Sequence, residues 1–366
     1  MKQQRKIMKR NVPSRKKVMF PISDPFKQYL KRHNRYRKLP LTYDDLLHYD
    51  TSLVLLDQNG NDTLWETVYY SPNEQAELHH ALTEIYALLK TDGDTGVMEH
   101  LQVARVDYCT FGNSKPFRVR IINRLNDNYD HFYIKKADAS RVYGLELEDL
   151  LSPNRVMYLV HDDTLIEEHI AGIPGDDFMN TELDTSTFNQ IRIAKEFVKF
   201  NERCFVRLLG DMRSYNYVID ITPDIEGYQY RMRAIDFDQQ SYEGRKNFYL
   251  PQYFKENNPI IFLGIQHMSH ETVRQYQLEE RSLIAARIKA SVTQVKELFD
   301  VMVTEELSQP DKVWQLKHEL ADHHQNAAFL RCQTMGEIVL TNLRLLLQKE
   351  FKQSIVFDQW RISGQS

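Results

Sequence analysis

Val206 to Asp220, Val-Arg-Leu-Leu-Gly-Asp-Met-Arg-Ser-Tyr-Asn-Tyr-Val-Ile-Asp, is the stretch whose reading decides the fold. An apolar run leads into Gly210-Asp211, Asn216 follows five residues after the Asp, and Tyr217-Val218-Ile219 starts a strand at once. Further on, Ala234-Ile235-Asp236-Phe237-Asp238 reads as a second short strand ending in a carboxylate. Turn chemistry alone accounts for an Asp and an Asn after an apolar strand. Phosphoryl transfer asks for the same residue types: an acceptor for the proton of a hydroxyl nucleophile, and hard oxygen ligands for the magnesium that bridges ATP phosphates. Asp211 suits the first task, and Asn216 with Asp236 the second.

On these residues the chain resembles the protein-kinase-like superfamily, and most closely its aminoglycoside phosphotransferase and choline kinase branch, because Leu-Gly-Asp stands where protein kinases have His-Arg-Asp. That branch usually has His-Gly-Asp, and Leu209 occupies the His place here. The resemblance covers residues 97 to 350 or so. It implies an α+β, two-lobed protein-kinase-like fold with a β-rich N-lobe (97–172) and an α-rich C-lobe (173–366). Asp211 is then the catalytic base, Arg213 an electrostatic helper for the transferring group, and Asn216 and Asp236 the metal ligands. ATP and Mg2+ are the implied cofactors. Asp238 is a candidate extra ligand.

The order of elements agrees with this. Leu101–Phe111, Phe117–Leu125 and His131–Lys135 read as three strands, Ser140–Leu151 as a helix, and Arg155–Val160 and Thr164–Glu168 as two more strands. Lys135 follows an apolar residue on the third strand, where the fold's phosphate-binding Lys would sit; Lys136 points to the opposite face. Glu146 on the following helix is the expected partner of that Lys, with Glu148 as the alternative, because a helix turns about 200° between them. The phosphate-covering turn offers a single glycine, Gly112, beside Asn113, Ser114 and Lys115. Glu168 and the Ile173-Pro174-Gly175 that follows resemble the linker whose backbone meets the adenine edge. The separation of twenty positions from Asn216 to Asp236 is accommodated by a longer hairpin with its turn at Thr222–Gly227.

Upstream, Ser52–Tyr70 reads as a hairpin around Asn59-Gly60. Ser71-Pro72-Asn73-Glu74 opens a helix with Ser at the cap and Pro at the first position. These residues, 41–96, are expected to form an accessory cover. Residues 1–40 hold fourteen Lys and Arg against the single acid Asp24, which leaves the rest of the chain about −17 within an overall −4. This basic segment is expected to be a flexible arm, lying on the protein's own acidic body or meeting an acidic partner, nucleic acid or an anionic membrane surface. Two long helical stretches, Glu271–Leu307 and Asp311–Phe351, complete the C-lobe. His318 and His323 are five residues apart, about 140° around a helix, so they do not share a metal.

Composition sets outer bounds. With 366 residues and 42% apolar content, a sizeable core is available. Three widely spaced cysteines, no apolar run long enough to span a membrane and no apolar secretory core together predict a cytoplasmic protein. The function expected is transfer of the ATP γ-phosphoryl group to a hydroxyl acceptor, a small molecule in preference to a protein. The alternatives are a pseudokinase that binds without catalysing, an enzyme transferring AMP, and a nucleic-acid-binding protein acting through its basic arm.

Overall fold

The computed structural model describes residues 17–91, 95–111, 114–183, 188–225 and 227–351. Helix α1 (Asp24–Arg32) is followed by strands β1 (Thr51–Leu56) and β2 (Asp62–Tyr69), helix α2 (Pro72–Lys90), and strands β3 (Leu101–Cys109), β4 (Phe117–Asn123) and β5 (Tyr129–Lys136). Helix α3 (Ala139–Leu151) leads to β6 (Tyr158–His161) and β7 (Thr164–Glu168). The second half runs β8 (Ile173–Pro174), α4 (Gly175–Thr181), α5 (Gln190–Arg207), β9 (Tyr217–Asp224), β10 (Gly227–Ala234), α6 (Asn258–His267), α7 (His270–Ala290), α8 (Val292–Met302), α9 (Pro310–His324) and α10 (Met335–Phe351).

The first seven strands form one sheet in the order β1-β2-β3-β4-β5-β7-β6, antiparallel at every pairing. Alternation along β4 and β5 puts Phe117, Val119, Ile121, Phe132 and Ile134 on one face, where they bury against Leu82, Ile85 and Leu89 of α2. Below the sheet, α5 is the central helix of a mostly helical half, its Phe197, Phe200 and Cys204 in a core shared with α7, α8 and α10. The chain therefore has a β-sheet-rich N-terminal region and a helical C-terminal region, consistent with a kinase-like two-lobed fold.

One expectation about the N-terminal third needs correction. Residues 17–40 are not a loose arm: Ser23 caps α1 by accepting from Phe26 N, and Phe26, Tyr29 and Leu30 are fully buried in the main core. Phe26 stacks on Tyr143 of α3, with ring centroids 3.8 Å apart. Burying three large side chains at i, i+3 and i+4 outweighs the solvation of the charged face, which stays outside. Residues 1–16 lie outside the described residues. Residues 41–96 contain a hairpin and a helix, as expected: β1 and β2 extend the large sheet beyond β3, and α2 covers one face of it.

The helix from Ser71 starts as its cap dictates, Ser71 Oγ accepting from Glu74 N. The C-terminal stretches each break once. Ser291 separates α7 from α8, and Gln325, at φ 49°, ends α9 before α10 begins at Met335.

Candidate phosphotransfer site

Helix α5 ends on Leu208 in the left-handed region (φ 55°), and Asp211 adopts the same region (φ 60°). For a bulky Leu this conformation costs about 1–3 kcal/mol, so the surroundings must enforce it. They do: Leu208 and Leu209 are fully buried, Leu209 bridges to Gln240 through its backbone, and Gln240 Nε2 donates to Arg207 O at 2.6 Å. Gly210 N donates to Gln239 O and Asp211 N to Phe248 O. Leu209 thus holds the loop by burial and backbone pairing.

Asp211 and its neighbours converge. Arg213 Nε donates to Asp211 Oδ1 at 2.9 Å, and Arg213 reaches Glu256 at 2.7 Å. Asn216 Nδ2 donates to Asp211 O at 2.7 Å. The register of β9 with β10 pairs Tyr217 with Ala234, and Ile235 N donates to Asn216 O, so the hairpin brings Asn216 beside the Ile235-Asp236 segment although Asn216 and Asp236 are twenty positions apart. Loss of water raises the Asp211 carboxyl to about 6; Arg213 opposes this, and the negative charges of Asp236 and Glu256 add to it.

Asp236 and Asp238 share a cation that sequence reasoning did not single out. Arg141 of α3 is fully buried; its Nη2 lies 3.2 Å from Asp236 Oδ1, its Nε donates to Asp238 Oδ1 at 2.6 Å, and its Nη1 donates to Glu167 Oε1 at 3.1 Å. Burial raises Asp236, with Asp238 adding to the effect. Burial works in the same direction on Asp238, but Arg141, Lys17 and Lys135 outweigh it and hold that carboxyl low. Lys17 lies 2.5 Å from Asp138 Oδ2 and also donates to Asp238 O, which ties the start of the described chain to this loop.

Lys135 is buried and Lys136 exposed. The partner of Lys135 is Glu167 Oε2 of β7, at 2.5 Å. The expected Glu146 does not meet it. Glu146, on α3, is buried, accepting from Tyr29 Oη at 2.5 Å and from Tyr158 Oη, with Arg35 Nε 3.4 Å away. Glu148, the alternative, pairs with Arg207 and Asn154. The physical reason is that α3 is buried on nearly every side, so a carboxylate on it takes whichever cation its turn faces. Glu168 also points elsewhere: its neighbour Glu167 pairs with Tyr133 on the Lys135 face, whereas Glu168 lies on the α2 face with Lys90 at 3.0 Å. Gly112 lies outside the described residues.

Asn216 and Asp236 offer oxygen donors of the kind Mg2+ takes, an ion that keeps several waters and uses one or two carboxylates with substrate phosphates. Asn216 spends its amide nitrogen on Asp211 O, which leaves Oδ1 as its acceptor, and the Asp236 side chain is about a third exposed. Among the described residues no group of three or more His, Cys, Asp and Glu side chains is arranged to hold a metal, and no helix is long and apolar enough to cross a membrane.

Among solved structures the chain matches titin kinase with its flanking domains, at 13% identity over 72% of this chain and 53% of that one, with a TM-score of 0.25. It spans about half the length of that structure. No family model and no curated protein matches the sequence.

Proposed function

We propose that the protein is an ATP- and magnesium-dependent phosphotransferase acting on a hydroxyl group, with a small molecule favoured as acceptor. The observation that carries this reading is the convergence of Asp211, Asn216 and Asp236 on one loop and hairpin, with the Asp211 carboxyl at about 6. A base is most effective when its pKa lies near the working pH, because it is then ionised in the ground state yet still takes a proton. Asp211 accepts the proton of the acceptor hydroxyl as its oxygen bonds to the γ-phosphorus and the bond to the β-γ bridging oxygen breaks, releasing ADP. Arg213, on Asp211 Oδ1, orients that carboxylate and places positive charge beside the transferring group. Lys135, fixed by Glu167, would hold the α and β phosphates of ATP. Asn216 and Asp236 would hold Mg2+, which neutralises charge on the phosphates.

A second reading is favoured by one specific contact. Arg141 sits on Asp236 and Asp238, the carboxylates a metal would need, and this arrangement suits a protein that binds without transferring.

Melting of wild type and Asp236→Ala with ATP and magnesium, with ATP alone, and with neither tests the binding step. A hundredfold excess of nucleotide over its dissociation constant adds about 2.7 kcal/mol to a protein that binds it. The mutant is expected to lose the magnesium-dependent part. A wild type whose melting ignores nucleotide under all conditions contradicts the proposal.

A further inference from the structure

The face of the large sheet opposite α2 carries a row of rings. Direct cross-strand pairs put Arg118 beside Tyr133, Arg120 beside His131 and Ile122 beside Tyr129, so these side chains share one face. On it Trp65, Tyr133, His169, His131 and Tyr129 follow one another with centroid separations of 6.4, 5.9, 5.6 and 5.6 Å. Arginines interleave with the rings: the Arg118 guanidinium lies 4.4 Å from the Trp65 centroid and that of Arg120 lies 4.0 Å from the Tyr129 centroid.

The charge on this face is unbalanced. Arg105 and Arg118 share the one carboxylate of Asp107, at 2.8 and 2.9 Å. Arg120 has no ion pair among the described residues, and its Nε is buried with no hydrogen-bond partner. Apart from Glu167, which Lys135 and Arg141 occupy, these three guanidinium groups thus face the one acid Asp107. Burial lowers both histidines, His131 to about 4, so at neutral pH they are uncharged rings suited to stacking.

Such a surface selects a ligand with flat groups and negative charge together. The arginine side chains at the Asp107 pair are only 29% and 21% exposed, so the flat group must enter between them. A single strand with unstacked bases can do this, every base having a π-face for an aromatic side chain and each phosphate a charge for an arginine. A duplex hides its bases, and a bilayer surface offers charge without planar rings.

We propose that this face binds single-stranded nucleic acid, with bases stacked along the row from Trp65 to Tyr129 and phosphates held by Arg118 and Arg120. None of these residues lies in the basic segment 1–16; the row shares its sheet face with Lys135, whose Nζ is 5.5 Å from the Tyr133 ring centroid, so a bound strand and ATP would meet the same side of the sheet.

The test is fluorescence anisotropy of a labelled twelve-residue oligouridylate titrated with the full-length protein. Binding is expected, weakening about tenfold between 50 and 200 mM salt for two or three neutralised phosphates. Tyr129→Ala and Arg120→Ala are each expected to weaken it about tenfold, and Tyr129→Phe to retain it. Tyr129 is exposed, so its variants test the surface with the fold intact. A full-length variant with the seven Lys and Arg of residues 1–16 changed to Gln is expected to keep the Tyr129 effect. Absence of binding, equal binding by all three point variants, loss confined to the Gln variant, or equal competition by a duplex or by phosphatidylserine vesicles would each overturn the proposal.

Discussion

Lys135 Nζ lies 2.5 Å from Glu167 Oε2, so the cation of β5 is fixed by the neighbouring strand of its own sheet and not by the helix that follows it. Arg141 then carries the linkage from Glu167 to Asp236 and Asp238. The helix contributes a cation to the site, and the strand contributes the anion.

Glu167→Ala leaves Lys135 and Arg141 buried without this partner, and removal of one member of a buried pair typically costs about 3–5 kcal/mol. Urea denaturation checks this. In a double-mutant cycle, Lys135→Met and Glu167→Gln are expected to couple strongly, and Lys135→Met and Glu146→Gln to add independently. Strong coupling to Glu146 would restore the helix as the partner.

The raised Asp211 carboxyl predicts a pH dependence with a definite sign. Between about 4 and 6 the folded chain keeps a proton on Asp211 that the unfolded chain has released, so this group's contribution to stability falls as pH rises through that window. Asn tolerates the left-handed backbone. Asp211→Asn is therefore expected to lose this fall, gaining on wild type from pH 4 to 6 and holding a constant difference above. Denaturation midpoints at pH 4.5 and 7.5 measure it, and parallel profiles of the two proteins contradict it.

Phe26→Ala tests whether the N-terminal segment belongs to the core. Deleting a fully buried Phe costs about 3–5 kcal/mol. A loose arm would show almost no change in thermal or chemical unfolding.

Gly175 opens α4 where there is no room for a side chain. An added Cβ would come within 2.5 Å of Ser214 O and of the Tyr217 ring, on either side of Asn216. Gly175→Ala is expected to cost about 1–3 kcal/mol by overpacking. Because it presses on the turn that carries Asn216, it should also reduce any magnesium-dependent gain in melting temperature.

Much of the fold was legible because local signals and tertiary demands agree. The succession of three strands gave β3, β4 and β5, the Ser71 cap and Pro72 marked the start of α2, and the turn near Gly227 explained how Asn216 and Asp236 meet. The choice of Glu146 failed because α3 is buried on nearly all sides, so helical spacing gave no face to choose, whereas Glu167 was hidden among adjacent acids on a short strand. Arg141 was missed for the same reason. Helix α1 had a usable signal, Phe26, Tyr29 and Leu30 behind a Ser23 cap, but the surrounding charge obscured it. The break at Ser291 has neither Gly nor Pro to announce it.

The most direct test of the central claim is the product released from ATP by wild type and Asp211→Asn in the presence of magnesium and a panel of hydroxylated acceptors. The account predicts ADP, together with a phosphorylated acceptor, from wild type and a loss of at least about a hundredfold in the mutant. Pyrophosphate in place of ADP, or equal turnover by the two proteins, would contradict it.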